Sequence, residues 1–396
     1  MGSLLSVTVE SGMCIGCGAC GVVAPSKVVF HPNSAGFVEP LEVSALSPDE
    51  TRTVERVCPA LNVEGPEQAN GLWGPIVEVL RGHAVDPELR YRASSGGALS
   101  AVSIGQLAGG LADEVICVRA SEVDPLSTLP FATSSVVEVA EASGSRYAPA
   151  SPILALPAPA GRERRVVFVG KPCDVAAARG LEREGRLGET EVSLYVSFLC
   201  AGTPSAGGTN EVLRAMGVSP DDVVSFRYRG NGWPGAATAT TGRGESQTLD
   251  YDVSWGQHLG RCIHERCKYC GDGIGLSADL VFGDAWMLGA NGLPTFEEHP
   301  GESLVLVRTE RGHQAVSLSE SLGKLAVEPL DLSQVSLMQP YQVHRRRYVR
   351  ARLLGRRMAG GRVPRYGRSC GVKLLQRGSH PIRALREAFG AFRRSR

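Results

Sequence analysis

Residues 165–200 decide the fold of this chain, and they read RVVFVGKPCDVAAARGLEREGRLGETEVSLYVSFLC. The stretch begins with an apolar run at 165–169, continues with a helical pattern over 174–184, and ends with a second apolar run at 191–199. Two strands separated by a helix predict a parallel pair joined by a crossover connection. The stretch therefore predicts an α/β layer.

The same alternation of short apolar runs and helical patterns extends on both sides of this stretch. The predicted strands lie at 76–85, 114–119, 279–282 and 303–308, and the predicted helices at 94–107 and 210–216. Three further short runs are separated by glycine turns, and they predict a small antiparallel addition or a lid. They lie at 223–228, 237–241 and 247–253.

The chain has 396 residues, more than a single hydrophobic core usually holds, so several modules are expected. Residues 1–70 are rich in turn residues and lack a long amphipathic period, which predicts a small separate module. We predict an α/β core at 72–330 and an extension at 331–396. Because the sequence shows no export signal and no apolar run of about 20 residues, we expect a cytoplasmic protein.

Three evenly spaced cysteines, Cys14, Cys17 and Cys20, form a C-x2-C-x2-C run near the start of the chain. In bacterial ferredoxins this run continues with x3-C-P, and that fourth cysteine binds the other cluster of a pair. Here Ala24-Pro25 occupies that place, so the second cluster of such a module is not expected. Cys58-Pro59 completes the first set, and the four cysteines predict one 4Fe-4S cluster.

Zinc is the alternative occupant of this first cysteine set. Structural zinc sites usually combine two separated pairs of ligands, whereas this set has three evenly spaced cysteines and a distant fourth. The spacing favours iron and sulfide. A protein that binds nucleic acid and carries only structural metal is the corresponding non-redox hypothesis.

A second set of cysteines lies in the predicted α/β core. Cys173 and Cys200 each follow a predicted strand, and ligand sites of open α/β sheets lie at the carboxyl ends of the strands. Cys267-x2-Cys270 supplies a pair, so these four residues are candidate ligands of a second 4Fe-4S cluster. Cys262 competes for a place in this set. Cys117 and Cys370 stand alone, and a lone buried cysteine is usually a small core residue.

Ser94, Ser95, Gly96 and Gly97 open a predicted helix directly after a predicted strand. Free N–H groups and the positive end of the helix dipole favour a phosphate at such a place. The alternative is an ordinary serine N-cap, with glycines that allow close packing.

Residues 345–396 carry a strong positive charge. The segment from Arg345 to Arg396 contains 16 Arg, one Lys and one acidic residue, which leaves 25 basic and 40 acidic residues elsewhere. Such asymmetry indicates an anionic partner, either an acidic protein such as a ferredoxin or a membrane surface, although nucleic acid is not expected. The alternative is that the segment wraps the acidic remainder of its own chain.

Taken together, these motifs resemble the coenzyme F420 hydrogenase/dehydrogenase beta subunit family, in a long form with an N-terminal ferredoxin-like module. Besides the first cysteine set, the resemblance rests on RASSGG at 92–97, GKPCD at 170–174, FLCAGTPS at 198–205, YRGNGWP at 228–234, CKYC at 267–270 and ADLVFGDAW at 278–286. It covers the chain from Cys14 to about Arg311.

The resemblance implies a flavin-binding α/β core with FAD, one core 4Fe-4S cluster and electron exchange with coenzyme F420 or ferredoxin. Core cluster ligation is carried over to Cys173, Cys200, Cys267 and Cys270. The implied flavin-pocket residues are Ser94, Ser95, Gly96, Gly97, Lys171, Gly283 and Asp284. With the first set, two 4Fe-4S clusters and one FAD are expected.

The resulting hypothesis is an oxidoreductase that moves electrons between ferredoxin or F420 and FAD and reduces or oxidises a small molecule. An electron-transfer protein that docks on a separate catalytic partner is the alternative. No residue pattern identifies a catalytic proton donor.

Overall fold

The computed structural model describes residues 2–66, 71–158, 161–373 and 378–396. The strands are β1 (Val28–Pro32), β2 (Val38–Glu42), β3 (Asn62–Val63), β4 (Glu78–Ala84), β5 (Glu114–Ala120), β6 (Thr128–Thr133), β7 (Arg164–Val169), β8 (Thr190–Phe198), β9 (Val223–Arg227), β10 (Ala237–Thr241), β11 (Ser246–Leu249), β12 (Leu280–Asp284), β13 (Ser303–Val307), β14 (Leu325–Pro329) and β15 (Arg365–Tyr366).

The helices are α1 (Leu4–Glu10), α2 (Ala19–Val23), α3 (Pro48–Val57), α4 (Pro87–Arg92), α5 (Ala98–Ala108), α6 (Val136–Glu141), α7 (Pro172–Arg183), α8 (Ala206–Met216), α9 (Tyr251–Val253), α10 (Glu265–Lys268), α11 (Glu310–Ser321), α12 (Leu332–Met338), α13 (Pro340–Met358) and α14 (Pro381–Arg394). None of the described helices is long and apolar enough to cross a membrane.

An eight-stranded sheet forms the centre of the molecule, in the order β14-β4-β13-β12-β8-β7-β5-β6. The four strands β12, β8, β7 and β5 run parallel to one another, and the pairs on either side of them are antiparallel. The predicted α/β layer is therefore confirmed, as a mixed sheet.

The stretch that was expected to decide the fold forms the centre of this sheet. β7 and β8 pair in parallel, and α7 crosses between them. Val166, Val167 and Phe168 are fully buried on β7, which explains their continuous apolar run. Pro172 starts α7, and the Asp174 carboxylate accepts a hydrogen bond from the backbone N–H of Lys171.

A separate three-stranded antiparallel sheet, β9–β11, confirms the predicted addition. The third strand is shorter than expected: it ends at Leu249, and Tyr251 begins a helical turn. The ring of Tyr251 there packs 4.4 Å from the guanidinium of Arg229, so a tertiary contact replaces the predicted end of the strand.

The N-terminal residues form a small unit of α1, α2, the hairpin β1–β2 and α3, and α2 and α3 pack against α7. Near the other end, α13 and α14 lie against each other. Three arginines of α13 are buried although the segment is so basic: Arg345, Arg346 and Arg356. Part of the Arg-rich segment thus wraps its own chain, as one of the two interpretations of its charge expects.

Candidate functional site

The candidate residues of the core gather at one edge of the central sheet, where its parallel strands end. Cys173 lies in the first turn of α7 after β7, and Cys200 lies two residues after β8. Gly283 and Asp284 are the last residues of β12. β4 also runs parallel to β12, since both are antiparallel to β13, so the loop after β4 reaches the same edge.

The first cysteine set surrounds a pocket. Cys14, Cys17, Cys20 and Cys58 all line it, together with Gly16, Gly18, Phe30 and Pro59. The loop between the cysteines needs glycine: Gly18 has φ +95°, and a Cβ there would lie 2.9 Å from the Cγ of Leu154.

Burial changes the acid–base behaviour of these thiols. Desolvation and the neighbouring Cys58 raise the pKa of Cys14 to about 12, and burial raises the pKa of Cys17 well above its usual value. Backbone N–H groups of Gly16 and Ala19 oppose the shift by donating to these sulfurs. Four such thiols become thiolates only when a strongly cationic group binds them, and an iron-sulfur core fits that requirement.

The four predicted cysteines of the second set also come together. Besides desolvation, the nearby Cys200 and Cys270 raise the pKa of Cys173, and Cys267 and Cys270 raise the pKa of Cys200. Such mutual effects require the four thiols to lie near one another. Desolvation and these neighbours raise the pKa of Cys200 to about 12. The backbone N–H of Thr203 points to Cys267 Sγ at 3.5 Å, as amides do around cluster-bound sulfur.

The side chain of Cys262, the competitor for this set, packs against Gly208 at the start of α8. Cys370 is buried, and its thiol donates to the carbonyl of Val63 at 3.0 Å, while Cys117 lies within β5. Among the described residues, no three His, Cys, Asp or Glu side chains converge closely enough to hold a single metal ion.

Arg345 of α13 clamps the loops that carry the second set. Its guanidinium donates to the carbonyls of Cys200 at 2.5 Å and of Cys267 at 2.9 Å. Gln342, one turn earlier, donates to the same Cys200 carbonyl at 3.0 Å. Sequence reasoning missed both residues, because nothing in the Arg-rich segment marks which of its arginines point inward.

Arg266 lies between the two cysteine sets. It is 4% exposed, and its Nη2 donates to the carbonyl of Pro59 at 3.1 Å, directly beside Cys58. Its charge also acts on Cys58 and Cys267, lowering the pKa that burial raises in each. The structure thus places one buried cation against both sets.

The loop Ser94–Gly97 joins α5 to the central strands. The Ser95 hydroxyl donates to the carbonyls of Gly283 at 3.3 Å and Glu302 at 2.9 Å, and the Gly96 N–H donates to Ser303 Oγ at 2.9 Å. A Cβ at Gly96 would lie 2.7 Å from the carbonyl oxygen of Gly82, so the loop packs directly on the sheet.

Asp284 forms a bidentate ion pair with buried Arg229, with distances of 3.0 and 2.8 Å. The indole N–H of Trp233 donates to the same carboxylate at 2.7 Å. Trp233 stacks on Trp286 with ring centroids 5.0 Å apart. The pair therefore fixes an aromatic cluster beside the sheet edge, with Tyr251 over the guanidinium.

Lys171 lies beside the second cysteine set. Its ammonium pairs with the buried Asp174 carboxylate at 2.7 Å and donates to the Ala150 carbonyl at 3.1 Å. Desolvation opposes the charge of the Lys171 ammonium, but Asp174, Cys173 and Cys200 raise its pKa. Lys171 thus places a cation next to two thiols.

Residues 144–151, which read GSRYAPAS, cross the same sheet edge and were missed by sequence reasoning. The backbone N–H of Ser145 donates to the Ser94 hydroxyl, and the Ser151 hydroxyl donates to the carbonyl of Gly16 at 2.6 Å. With the contact from Lys171 to Ala150, this segment joins the candidate flavin loop to both cysteine sets. The only feature of the sequence that could have pointed to this segment is its combination of a glycine, a proline and an aromatic residue.

Comparison with known proteins agrees with this architecture. Two family models describe the beta subunit of coenzyme F420 hydrogenase/dehydrogenase, one its N-terminal part and the other its C-terminal part. Residues 79–157 match the first model, and residues 163–333 match the second. The two matches adjoin and together cover most of the central sheet.

Two curated proteins resemble the chain, and so do several chains of solved structures, one of which is described below. The chloroplastic 7-hydroxymethyl chlorophyll a reductase of rice (Oryza sativa subsp. japonica) is 26% identical over 77% of this chain. The chain spans only 61% of that relative's length. The uncharacterized protein MJ1349 of Methanocaldococcus jannaschii is 24% identical, over 76% of this chain and 79% of its own length.

The solved structure is the F420-reducing [NiFe] hydrogenase complex of Methanosarcina barkeri. One of its chains aligns with a TM-score of 0.53 and 20% identity, over 71% of this chain and 92% of its own. At that identity the match supports the fold alone.

Proposed function

Because the chain belongs to the coenzyme F420 hydrogenase/dehydrogenase beta subunit family, we propose that it is an iron-sulfur flavoprotein oxidoreductase. In this proposal it exchanges electrons with ferredoxin or coenzyme F420 and reduces or oxidises a small molecule. The observation that carries the proposal is the grouping of eight cysteines into two four-cysteine sets, one of them at the carboxyl edge of the sheet.

The residues that would hold each group follow from the site. Cys14, Cys17, Cys20 and Cys58 would hold one 4Fe-4S cluster, and Cys173, Cys200, Cys267 and Cys270 a second. Ser94, Ser95, Gly96, Gly97, Lys171, Gly283 and Asp284 would line the FAD site. When bound, the clusters would carry single electrons and the flavin would exchange two as a hydride equivalent.

The protein's own groups prepare the site in three ways. Arg266, Arg345 and Lys171 place positive charge near the thiolates, which burial alone would destabilise. The Asp284–Arg229 pair fixes the orientation of Trp233 and Trp286. Trp233 and Trp286 are themselves buried, and their rings would keep water from that side of the edge, which would strengthen electrostatic interactions within it.

The composition of the purified protein tests this proposal directly. Anaerobic purification should give about eight irons, about eight sulfides and one flavin per chain, with absorption that dithionite bleaches. About four irons would contradict one of the two sets. A colourless protein containing zinc would contradict the proposal as a whole.

An electron-transfer subunit is the second candidate function, because both family models that match the chain describe a beta subunit of coenzyme F420 hydrogenase/dehydrogenase. Reduced methyl viologen can serve as the electron donor, with F420 and oxidised ferredoxin as separate acceptors. An isolated chain that reduces either acceptor at a steady rate supports the enzyme. A chain whose cofactors are reduced but that passes electrons on only after a partner protein is added supports the electron-transfer role.

A further inference from the structure

Helices α13 and α14 form a tightly packed pair on the surface. Gly355 permits the close approach, because a Cβ there would lie 2.7 Å from the Ala388 carbonyl carbon. Tyr348 OH accepts from the His380 N–H at 3.1 Å, and Arg356 reaches Ser395 further along both helices. The two helices therefore run in the same direction.

One face of this pair points into the protein. Arg345 and Arg346 on α13 are buried and bond to backbone carbonyls of the core, and Val349 and Leu353 on the same face are also buried. By helical periodicity, Leu354 and Met358 lie on the opposite side of α13. They are 46% and 68% exposed.

α14 presents apolar side chains on that same outer side. Ala384 and Ala391 face α13 and are buried, whereas Ile382, Leu385 and Phe389 are 58%, 71% and 62% exposed. Their spacing, i, i+3 and i+7, places the three on one stripe of the helix. We call Leu354, Met358, Ile382, Leu385 and Phe389 the apolar strip.

Arginines border the apolar strip on both helices. Arg350 and Arg357 on α13 and Arg386 and Arg393 on α14 are exposed, and none of them forms an ion pair with any described residue. The acidic residue of α14, Glu387, is not available to neutralise them. Hydrogen bonds from His344 and Arg352 engage its carboxylate and lower its pKa to about 2.

We propose that this surface binds the face of an anionic lipid bilayer. An exposed apolar stripe between unpaired arginines is the composition of helices that lie in a membrane interface. The apolar strip would enter the boundary between headgroups and acyl chains, and the arginines would contact lipid phosphates. Charge complementarity selects anionic lipid over neutral lipid.

A soluble acidic electron carrier fits this surface less well. The cysteine loops contact the inner side of α13, through Arg345, whereas the apolar strip lies on its outer side. A carrier docked on the strip would be separated from the second cysteine set by a helix about 10 Å thick. The membrane proposal is independent of the proposed redox reaction.

Vesicle flotation with the full, cofactor-loaded chain tests the proposal. At low salt the protein should bind vesicles of phosphatidylcholine with 30% phosphatidylglycerol and not those of phosphatidylcholine alone. The triple variant I382S/L385S/F389S should weaken binding by more than about tenfold. The double variant R386Q/R393Q should weaken it by about fivefold per arginine, with the difference vanishing at high salt.

The triple variant V123S/V137S/V224S is the matched control, because it removes three valines that are 96%, 61% and 59% exposed away from the helix pair. It should bind as the unmodified chain does. The proposal would be overturned if the control lost as much vesicle binding as I382S/L385S/F389S does. It would also be overturned if the unmodified chain failed to bind anionic vesicles. A dimer in sedimentation velocity that I382S/L385S/F389S dissociates would overturn it as well, because the strip would then join two copies. Iron content and circular dichroism establish that each variant is folded.

Discussion

The first cysteine set takes three of its members from positions 14, 17 and 20, whereas the second gathers Cys173, Cys200, Cys267 and Cys270 from three loops far apart in sequence. The first set is shaped by its own loop, in which glycines let the backbone turn around the thiols. The second is shaped by the sheet that brings the loops together and by Arg345, which ties two of them. The first set thus depends on the local spacing of its cysteines, and the second set depends on the tertiary structure.

Removal of one thiol from each set should give the largest difference. Cys17→Ser should lose about four of about eight irons and keep the second cluster, and Cys267→Ser should do the reverse. Iron analysis and electron paramagnetic resonance of the reduced proteins measure this. Cys262→Ser is the control and should keep all of the iron, since Cys262 packs against Gly208 and is assigned to neither set. Complete loss of iron from either ligand variant would show that the two sets do not assemble independently.

The same contrast explains what could be predicted from the sequence. The strands around residues 165–200 were predicted because buried parallel strands require continuous apolar runs bounded by turns. Three members of the first cysteine set were predicted from their spacing, and Cys58 from the Cys-Pro pair that it forms with Pro59. In the second set, Cys173 and Cys200 were predicted from their places after strands, and Cys267 and Cys270 from their C-x2-C spacing. That these four bind a cluster stays a prediction.

The supporting residues could not be predicted, for physical reasons. Arg345 and Arg350 are identical in chemistry and five positions apart, yet one is buried and the other exposed. Which one points inward depends on how α13 packs. Asp284 was expected to line the flavin pocket, and no local pattern indicates that Arg229 and Trp233 engage its carboxylate. Whether it contacts flavin stays a prediction.

Loss of the Arg345 clamp should affect the second set and spare the first. Arg345→Gln removes two hydrogen bonds from a charged donor, so the free energy of unfolding should fall by about 3 kcal/mol. Second-cluster iron should be lost faster when the protein is exposed to a chelator. Arg350→Gln, on the exposed side of the same helix, is the matched control and should change neither quantity. Chemical denaturation and timed iron release measure the two effects, and equal release from both sets would argue against a local clamp.

The smallest expected effect concerns Arg266, a buried side chain that lies against both sets. A buried cation stabilises the more negative, reduced state of a nearby cluster, so Arg266→Met should lower both midpoint potentials by several tens of millivolts. Arg266→Lys keeps the charge and should restore most of the shift.

Redox titration followed by electron paramagnetic resonance measures both potentials in one sample. Lys268→Met is the matched control, because Lys268 is two residues away, 35% exposed and paired with Glu265 at 3.0 Å. Solvent and that carboxylate screen its charge, so its removal should shift the potentials less. A shift confined to one cluster would assign Arg266 to that set alone. A shift of both would show that the locally built site and the sheet-built site are electrostatically coupled through a single side chain.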